Sequence, residues 1–297
     1  MKINKGNIFL LMSAIVWGLG LVSQQAGMEY LGPFSFTAVR CTLGGVSMLP
    51  LVWVLDRKKA PEVKAAEAPL KDTLKAAFFC SLALITVIIS QQYGLLHTTV
   101  GKAGFITATY ILMTPVSGIF LGKKVQKNIW VAVAVALVAM YILCLRDGFS
   151  GLNLGDMLML VAAVAYTTHI HLIDGFVNRM DAVKLSCYQF IMVGLMSFLP
   201  AFILEGSTFT VQNILLSGIP ILYAGIFSCA VGYTFQVLGQ KFTDPNTASL
   251  LLSTETVFTL LAGWLILNEV MAPAEYLGCV IMFVAIIIAQ LPQKSEK

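Results

Sequence analysis

The residues of this chain that could do chemistry lie inside apolar runs. Glu255 sits near the middle of Asn246–Leu267, NTASLLLSTETVFTLLAGWLIL. As a helix, a run of ~20 residues is long enough to cross a bilayer. A carboxylate at that depth costs at least ~2.5 kcal/mol, so it needs a protein-lined or wet setting. Two kinds of chemistry are open to it: proton coupling, or pairing with the ammonium of a solute. A structural carboxyl, hydrogen-bonded to Ser253, Thr254 or a neighbouring helix, is the alternative. Arg40 offers the opposite charge about seven residues into the second apolar run, roughly 10 Å deep. It would hold a substrate carboxylate, pair with Glu255, or snorkel to the interface.

Amides and phenols accompany the two charges. Gln91, Gln92 and Tyr93 form one cluster, and Tyr233 with Gln236 a second. They suit a neutral or zwitterionic solute, and equally serve as hydrogen bonds between helices. Trp17 and Tyr166 would wall a central cavity or simply pack, and Tyr110 places a phenol in the fourth run. His169 and His171 are two apart and so point to different helix faces, which argues against a shared metal. A lone proton-relay His is the remaining functional reading. Asp156 and Asp174 fall near run ends and read as interfacial. The six cysteines lie in apolar runs without a CxxC and read as small buried hydrophobes. No phosphate loop, dinucleotide fingerprint, HExxH or GxSxG appears, so neither a cofactor nor a hydrolase site is expected.

The elements that position these residues follow from composition. Of 297 residues, 58% are hydrophobic and 11% charged, and the mean hydropathy is +0.85. That combination specifies an all-α integral membrane protein and gives no basic face for nucleic acid. Ten transmembrane helices are predicted, at 7–27, 33–55, 73–94, 100–122, 128–146, 154–174, 182–204, 213–238, 246–267 and 273–291. The apolar first run continues to Val22, longer than a usual signal-peptide core, and is read as a retained helix. The charged linker 56–72 belongs in water. With the N-terminus in the cytoplasm, only Lys102 and Arg146 of the 19 basic residues fall in outer segments, and Arg40 is intramembrane. Both termini are therefore placed in the cytoplasm. Tyr30, Trp53, Trp130 and Tyr276 near helix ends fit aromatic belts. Ala14 with Gly18, and Gly118 with Gly122, have the spacing that lets helices approach. Pro115 should bend helix 4.

The halves repeat. At an offset of 145, Gln91 matches Gln236, Thr98 Thr243, Ala103 Ala248, Thr109 Thr254, Tyr110 Glu255 and Val125 Val270. At 149, Gly6 matches Gly155, Ala14 Ala163, Trp17 Tyr166 and Gly45 Gly194. Each half, 1–150 and 151–297, carries an odd five helices, so the second copy must be inverted. The basic Lys123, Lys124 and Lys127 align with Asn268, Glu269 and Ala272, as a swap of membrane side requires. Two inverted five-helix repeats are a plan of secondary transporters, with the solute near the midplane.

The motifs AIVWG (Ala14–Gly18), FTAVR ending at Arg40, QQYGLLHTTVGKAGFITATYILMTP (Gln91–Pro115), Gly155-Asp156 and Thr247–Glu269 ending LNE carry a resemblance. The chain resembles the drug/metabolite transporter superfamily in its EamA branch, over almost its whole length. It departs at Lys123-Lys124, where members often have Gly-Glu-Arg. The resemblance implies a gradient-linked exporter or exchanger of small metabolites such as amino acids, in the cell inner (plasma) membrane. The partners so implied are a small-molecule substrate and the lipid bilayer, with a monomer or homodimer both open. The substrate site is expected at Trp17, Gln91, Tyr110, Tyr166, Tyr233, Gln236 and Glu255, with proton coupling at Glu255 and Arg40 its charge partner. A channel or facilitator, a multidrug efflux carrier and an intramembrane enzyme are the competing readings; no nucleophile–base pair supports the last.

Overall fold

A backbone surrounded by lipid must satisfy its own hydrogen bonds, and helices do this within one segment. The computed structural model describes residues 4–60, 62, 67–98, 103, 106–144, 153–259, 261, 273–289 and 291, and no strand occurs among them. The helices are α1 Lys5–Gly27, α2 Pro33–Lys58, α3 Leu70–Leu95, α4 Tyr110–Phe120, α5 Lys127–Cys144, α6 Leu154–Phe176 and α7 Ala182–Leu204. They continue with α8 Gly218–Gln240, α9 Pro245–Leu252 and α10 Pro273–Ala289. A short helix, Val211–Leu216, leads into α8, whose Tyr223–Gly232 stretch is π-helical. The helices α2, α3, α6, α7 and α8 are long and apolar enough to cross a membrane, and shorter apolar helices accompany them. The chain is an all-α multi-pass membrane protein. The predicted C-terminal part of helix 9, with Glu269 and the LNE motif, and the outer Lys102 and Arg146 lie outside the described residues.

Local chemistry sets the helix ends. Pro33 opens α2, where its missing N–H is not needed. Asn153 and Asp156 form a reciprocal capping box on α6. Asp156 is fully buried and accepts from Thr98 Oγ1 at 2.7 Å. Asp156, in the first turn of α6, ties the start of that helix to the end of α3. Asp174 keeps a partly exposed ion pair with Lys123. Gly122 has φ +74°, and Lys123 N–H reaches back to Gly118 O at 2.9 Å. It closes α4 as a left-handed cap, and a Cβ there would meet nothing within 4 Å. The expectation that Gly118 and Gly122 seat a neighbouring helix therefore fails. Gly18 does seat one, since a Cβ there would lie 2.6 Å from Phe258 Cβ.

Two interruptions matter most. Helix 4 was expected to run unbroken from 100 to 122 with its bend at Pro115. Instead Thr109 is a turn residue, with its Oγ1 on Ile106 O at 2.6 Å, and α4 restarts at Tyr110. Helix 9 breaks at Ser253-Thr254, with Thr254 Oγ1 on Leu251 O at 2.6 Å, and residues 255–259 resume the helix at Glu255. In both, a threonine hydroxyl competes for a backbone carbonyl and tightens the last turn. Pro115 is accommodated inside α4, not at its break.

The packing runs through pairs. α2 lies on α7, α5 on α10 and α3 on α6, while α1 lies on α8. α2 also touches α8, α3 touches α7, α4 touches α6 and α1 touches α9. At one end of the α2–α7 pair, the buried Glu205 accepts from Phe34 N (3.0 Å), Ser35 N (2.7 Å) and Tyr93 OH (3.3 Å). The carboxylate caps the positive N-terminus of α2 from another helix.

At the other end, Lys59 meets Asp181 at 2.7 Å, Asp56 at 3.3 Å, and Glu67. Lys184 adds Asp56 at 2.6 Å and Glu67 at 3.1 Å. Ala68 N–H donates to Arg179 O at 3.1 Å, so this part of the charged linker is docked on α7. Burial alone would lower the Lys59 pKa, but its hydrogen bonds to Asp181 and Glu67 outweigh this and raise it. Burial would raise the Asp181 pKa, but the Lys59 bond outweighs it and lowers it. The stabilisation from a depressed carboxyl is present above the unfolded-state value of ~3.9 and fades as pH falls through the folded value. That from a raised ammonium is complete below ~10.4 and fades as pH rises through the folded value. Lys59→Met should thus cost about 1–2 kcal/mol at pH 7, between surface and buried pairs. Thermal unfolding in detergent at pH 7 and below pH ~4 checks this, since the wild-type advantage must shrink at acid pH.

Candidate binding cavity

One cavity, with about 50 Å³ open to water-sized occupants, lies among α1, α2, α3, α6, α8 and the restarts of helices 4 and 9. Trp17, Arg40, Gln91, Tyr110, Tyr166, Tyr233 and Glu255 all line it. The two helix interruptions explain part of this gathering. Each releases the chain just before a lining residue, Tyr110 in one half and Glu255 in the other.

Aromatic rings build one wall. Trp17 and Tyr233 have ring centroids 4.4 Å apart, and Trp17 and Tyr166 6.4 Å. Tyr110 meets Tyr166 edge-on at 4.7 Å. Such tilted and edge-to-face pairs are favoured by ring quadrupoles and hold the rings rigidly. Trp17 Nε1–H is fixed by Ser228 O at 3.2 Å. Phe190 backs Tyr233 at 4.9 Å.

The polar groups are left available. Arg40 is 3% exposed, and its Nε has no hydrogen-bond partner. The Tyr110 and Tyr166 hydroxyls are also buried without one. Buried donors in that state carry a desolvation cost of about 1–3 kcal/mol each unless something fills the space. Glu255 is half-buried, open to the cavity rather than to a helix. Arg40 and Glu255 share this cavity, yet no ion pair joins them within 4.0 Å. The Arg40 guanidinium lies 5.4 Å from the Phe36 ring, and the side chain is enclosed by protein.

Other predicted residues lie elsewhere. Gln236 is fully buried and donates to Gln240 Oε1 at 3.1 Å, away from the cavity. Gln92 accepts from Thr37 at 2.8 Å. His169 packs behind the aromatic wall, with Nε2 3.2 Å from Gln189 Oε1, and His171 faces Ser117 at 2.8 Å. They do not converge, and no cluster of three or more His, Cys, Asp or Glu side chains fit for a metal occurs among the described residues. Gln24, Thr107, Ser228 and Cys229 also line the cavity and were not singled out from sequence. Gln24 lies seven residues after Trp17, two helical turns on the same face, a signal that was available. Ser228 and Cys229 are small residues in an apolar run and gave none.

Helices of membrane-spanning length enclose a cavity lined by Arg40 and Glu255, and the family the chain matches makes it a membrane transporter, for which a lipid environment and a small-molecule substrate follow. The chain belongs to the EamA-like transporter family, whose model matches residues 4–145 and again 153–290. It is 26% identical to an uncharacterized transporter of Archaeoglobus fulgidus, covering 95% of this chain and 84% of that one. It is 22% identical to the uncharacterized transporter YwfM of Bacillus subtilis, over 100% and 97% of the two chains. A WAT1-related chloroplastic protein of Arabidopsis thaliana is 23% identical over 94% of this chain and 68% of its own length. The family and the Archaeoglobus and Bacillus relatives are named as transporters rather than enzymes. A solved crystal structure shares the fold with a TM-score of 0.77 at 16% identity, covering 97% of this chain and 99% of that one.

Proposed function

We propose that this protein is a secondary-active exporter or exchanger of small zwitterionic metabolites such as amino acids, working by alternating access. The observation that carries the reading is the cavity itself. Arg40 and Glu255 present opposite charges to one space without neutralising each other. A zwitterion supplies the missing partner of each, and its other acceptors suit the unpartnered Tyr110 and Tyr166 hydroxyls. Glu255 exchanges a proton for the solute ammonium, because both compete for one carboxylate.

The helix pairing supports two inverted repeats as the moving units. Exchanging each helix for the one five places along turns α3–α6 into α8–α1, α2–α8 into α7–α3, and α4–α6 into α9–α1, all of them contacts. The pairs α2–α7 and α5–α10 map onto themselves. Breaks at Thr109 and Thr254 are related by the same exchange, as discontinuous helices at a transporter midplane are. The Lys/Arg distribution supports cytoplasmic termini, and the plasma (inner) membrane is the proposed location. Counterflow tests the carrier: proteoliposomes loaded with unlabelled amino acid should transiently accumulate the labelled one above equilibrium. A channel gives equilibration without overshoot, and that result refutes the carrier reading.

A further inference from the structure

Two cysteines meet beside the cavity, and neither the binding reading nor the fold uses them as thiols. Cys41 follows Arg40 on α2, and Cys229 lies in the π-helical stretch of α8. Their sulfurs are 4.0 Å apart, with both side chains almost completely buried. The helices cross with no side chain between them at this level: a Cβ on Gly44 would lie 2.6 Å from Gly225 O and 2.8 Å from Cys229 Cβ. Cys187, also buried, instead donates to the Gly45 carbonyl at 3.2 Å. Cys229 lines the cavity, which gives a small oxidant its nearest approach to the buried pair.

We infer that Cys41 and Cys229 form a peroxide-oxidisable thiol pair whose disulfide ties α2 to α8 across the cavity wall. A disulfide needs the sulfurs at about 2.0 Å, so the observed gap closes by roughly one ångström of movement at each sulfur, within reach of side-chain rotation in helices already in contact. Reactive cysteines sit beside a cation and partly exposed; Arg40 precedes Cys41 on α2, while the burial of both side chains makes their oxidation slow. The co-reactant is hydrogen peroxide, a small neutral oxidant. Cys229 gives its proton to cavity water, and its sulfur attacks one peroxide oxygen. The O–O bond breaks, and the departing hydroxide takes up a proton to leave as water, with Cys229 as the sulfenic acid. The Cys41 sulfur then attacks the Cys229 sulfur. The S–S bond forms, the S–O bond breaks, and the leaving hydroxide departs as water with the Cys41 proton. Two thiols and one peroxide become one disulfide and two waters, with two electrons passing from sulfur to oxygen.

The link joins the first half of the chain to the second, so it fixes the spacing of α2 and α8. Bond formation stands apart from the transport reading; arrest of counterflow rests on it. The test uses the purified full-length protein in lipid nanodiscs, reduced and then exposed to hydrogen peroxide. The protein is then unfolded in denaturing detergent, remaining thiols are capped with maleimide, and the digest is analysed by mass spectrometry. The expected result is a peptide linked through Cys41 and Cys229, reversed by dithiothreitol, in wild type and in a variant with the other four cysteines replaced by Ser. In Cys41→Ser no link should form, and Cys229 should be the sulfenic acid, trapped by dimedone on unfolding. Peroxide treatment that leaves both residues maleimide-capped, or links either to a different cysteine, overturns the inference. If the link forms while counterflow continues unchanged, the thiol pair stands and its locking effect is refuted.

Discussion

Glu255→Gln is expected to abolish pH-gradient-driven transport and to weaken a zwitterionic solute by about 30- to 1,000-fold, equivalent to about 2–4 kcal/mol for one partner of a desolvated charge pair. The substitution keeps the side-chain shape and removes the site at which proton and ammonium compete. Thermodynamic linkage makes the effect reciprocal: if solute binding displaces the proton, protonation displaces solute. In the variant this coupling disappears, and only ungated exchange of solute remains. Glu255 opens on the cavity and has no ion-pair partner among the described residues, so its loss should leave the fold intact. Uptake into proteoliposomes with and without an imposed pH gradient, wild type beside variant, checks this. A variant that responds to the gradient as wild type does would make Glu255 structural.

Arg40→Gln is expected to produce a loss of similar size, again about 30- to 1,000-fold, but with the opposite selectivity. The cavity then keeps only its acidic pole. An amine lacking a carboxylate should be affected little, whereas the parent amino acid loses its carboxylate partner. Because Arg40 is 3% exposed with Nε unpartnered, relieving this charge need not destabilise the protein. Thermal shift with each solute reads the outcome. Equal losses for amine and amino acid would mean that Arg40 supports the cavity without touching the solute.

The all-α membrane class and several of the residues lining the cavity were readable from sequence, for physical reasons. Bilayer thickness imposes run lengths, and a buried charge in such a run has few non-functional explanations. Arg40, Glu255 and the aromatic residues of α1, α6 and α8 were found in that way. The bend expected at Pro115 is a break at Thr109 instead, and helix 9, read as continuous, breaks at Ser253-Thr254. The signal was present: Thr109 and Thr254 match at the same offset as Gln91 and Gln236, and each hydroxyl captures a carbonyl one turn back. Gln236 was carried into the site by its repeat mate Gln91, but the halves have diverged there, and Gln236 turns to Gln240. Gly122 shows a similar limit: small-residue spacing is shared by helix contacts and helix caps, and only its φ of +74° tells them apart. Glu205 and the docked linker arise from contacts between segments far apart in the chain, which no local pattern encodes.

The most direct test of the central claim is a binding series on wild type, Arg40→Gln and Glu255→Gln. The ligands are an amino acid, its methyl ester and its N-acetyl derivative. The account predicts a crossed pattern. Wild type prefers the parent amino acid, Arg40→Gln no longer distinguishes it from the ester, and Glu255→Gln no longer distinguishes it from the N-acetyl form. Retention of the wild-type preferences in both variants would place the solute's charged groups elsewhere and contradict the assignment of this cavity.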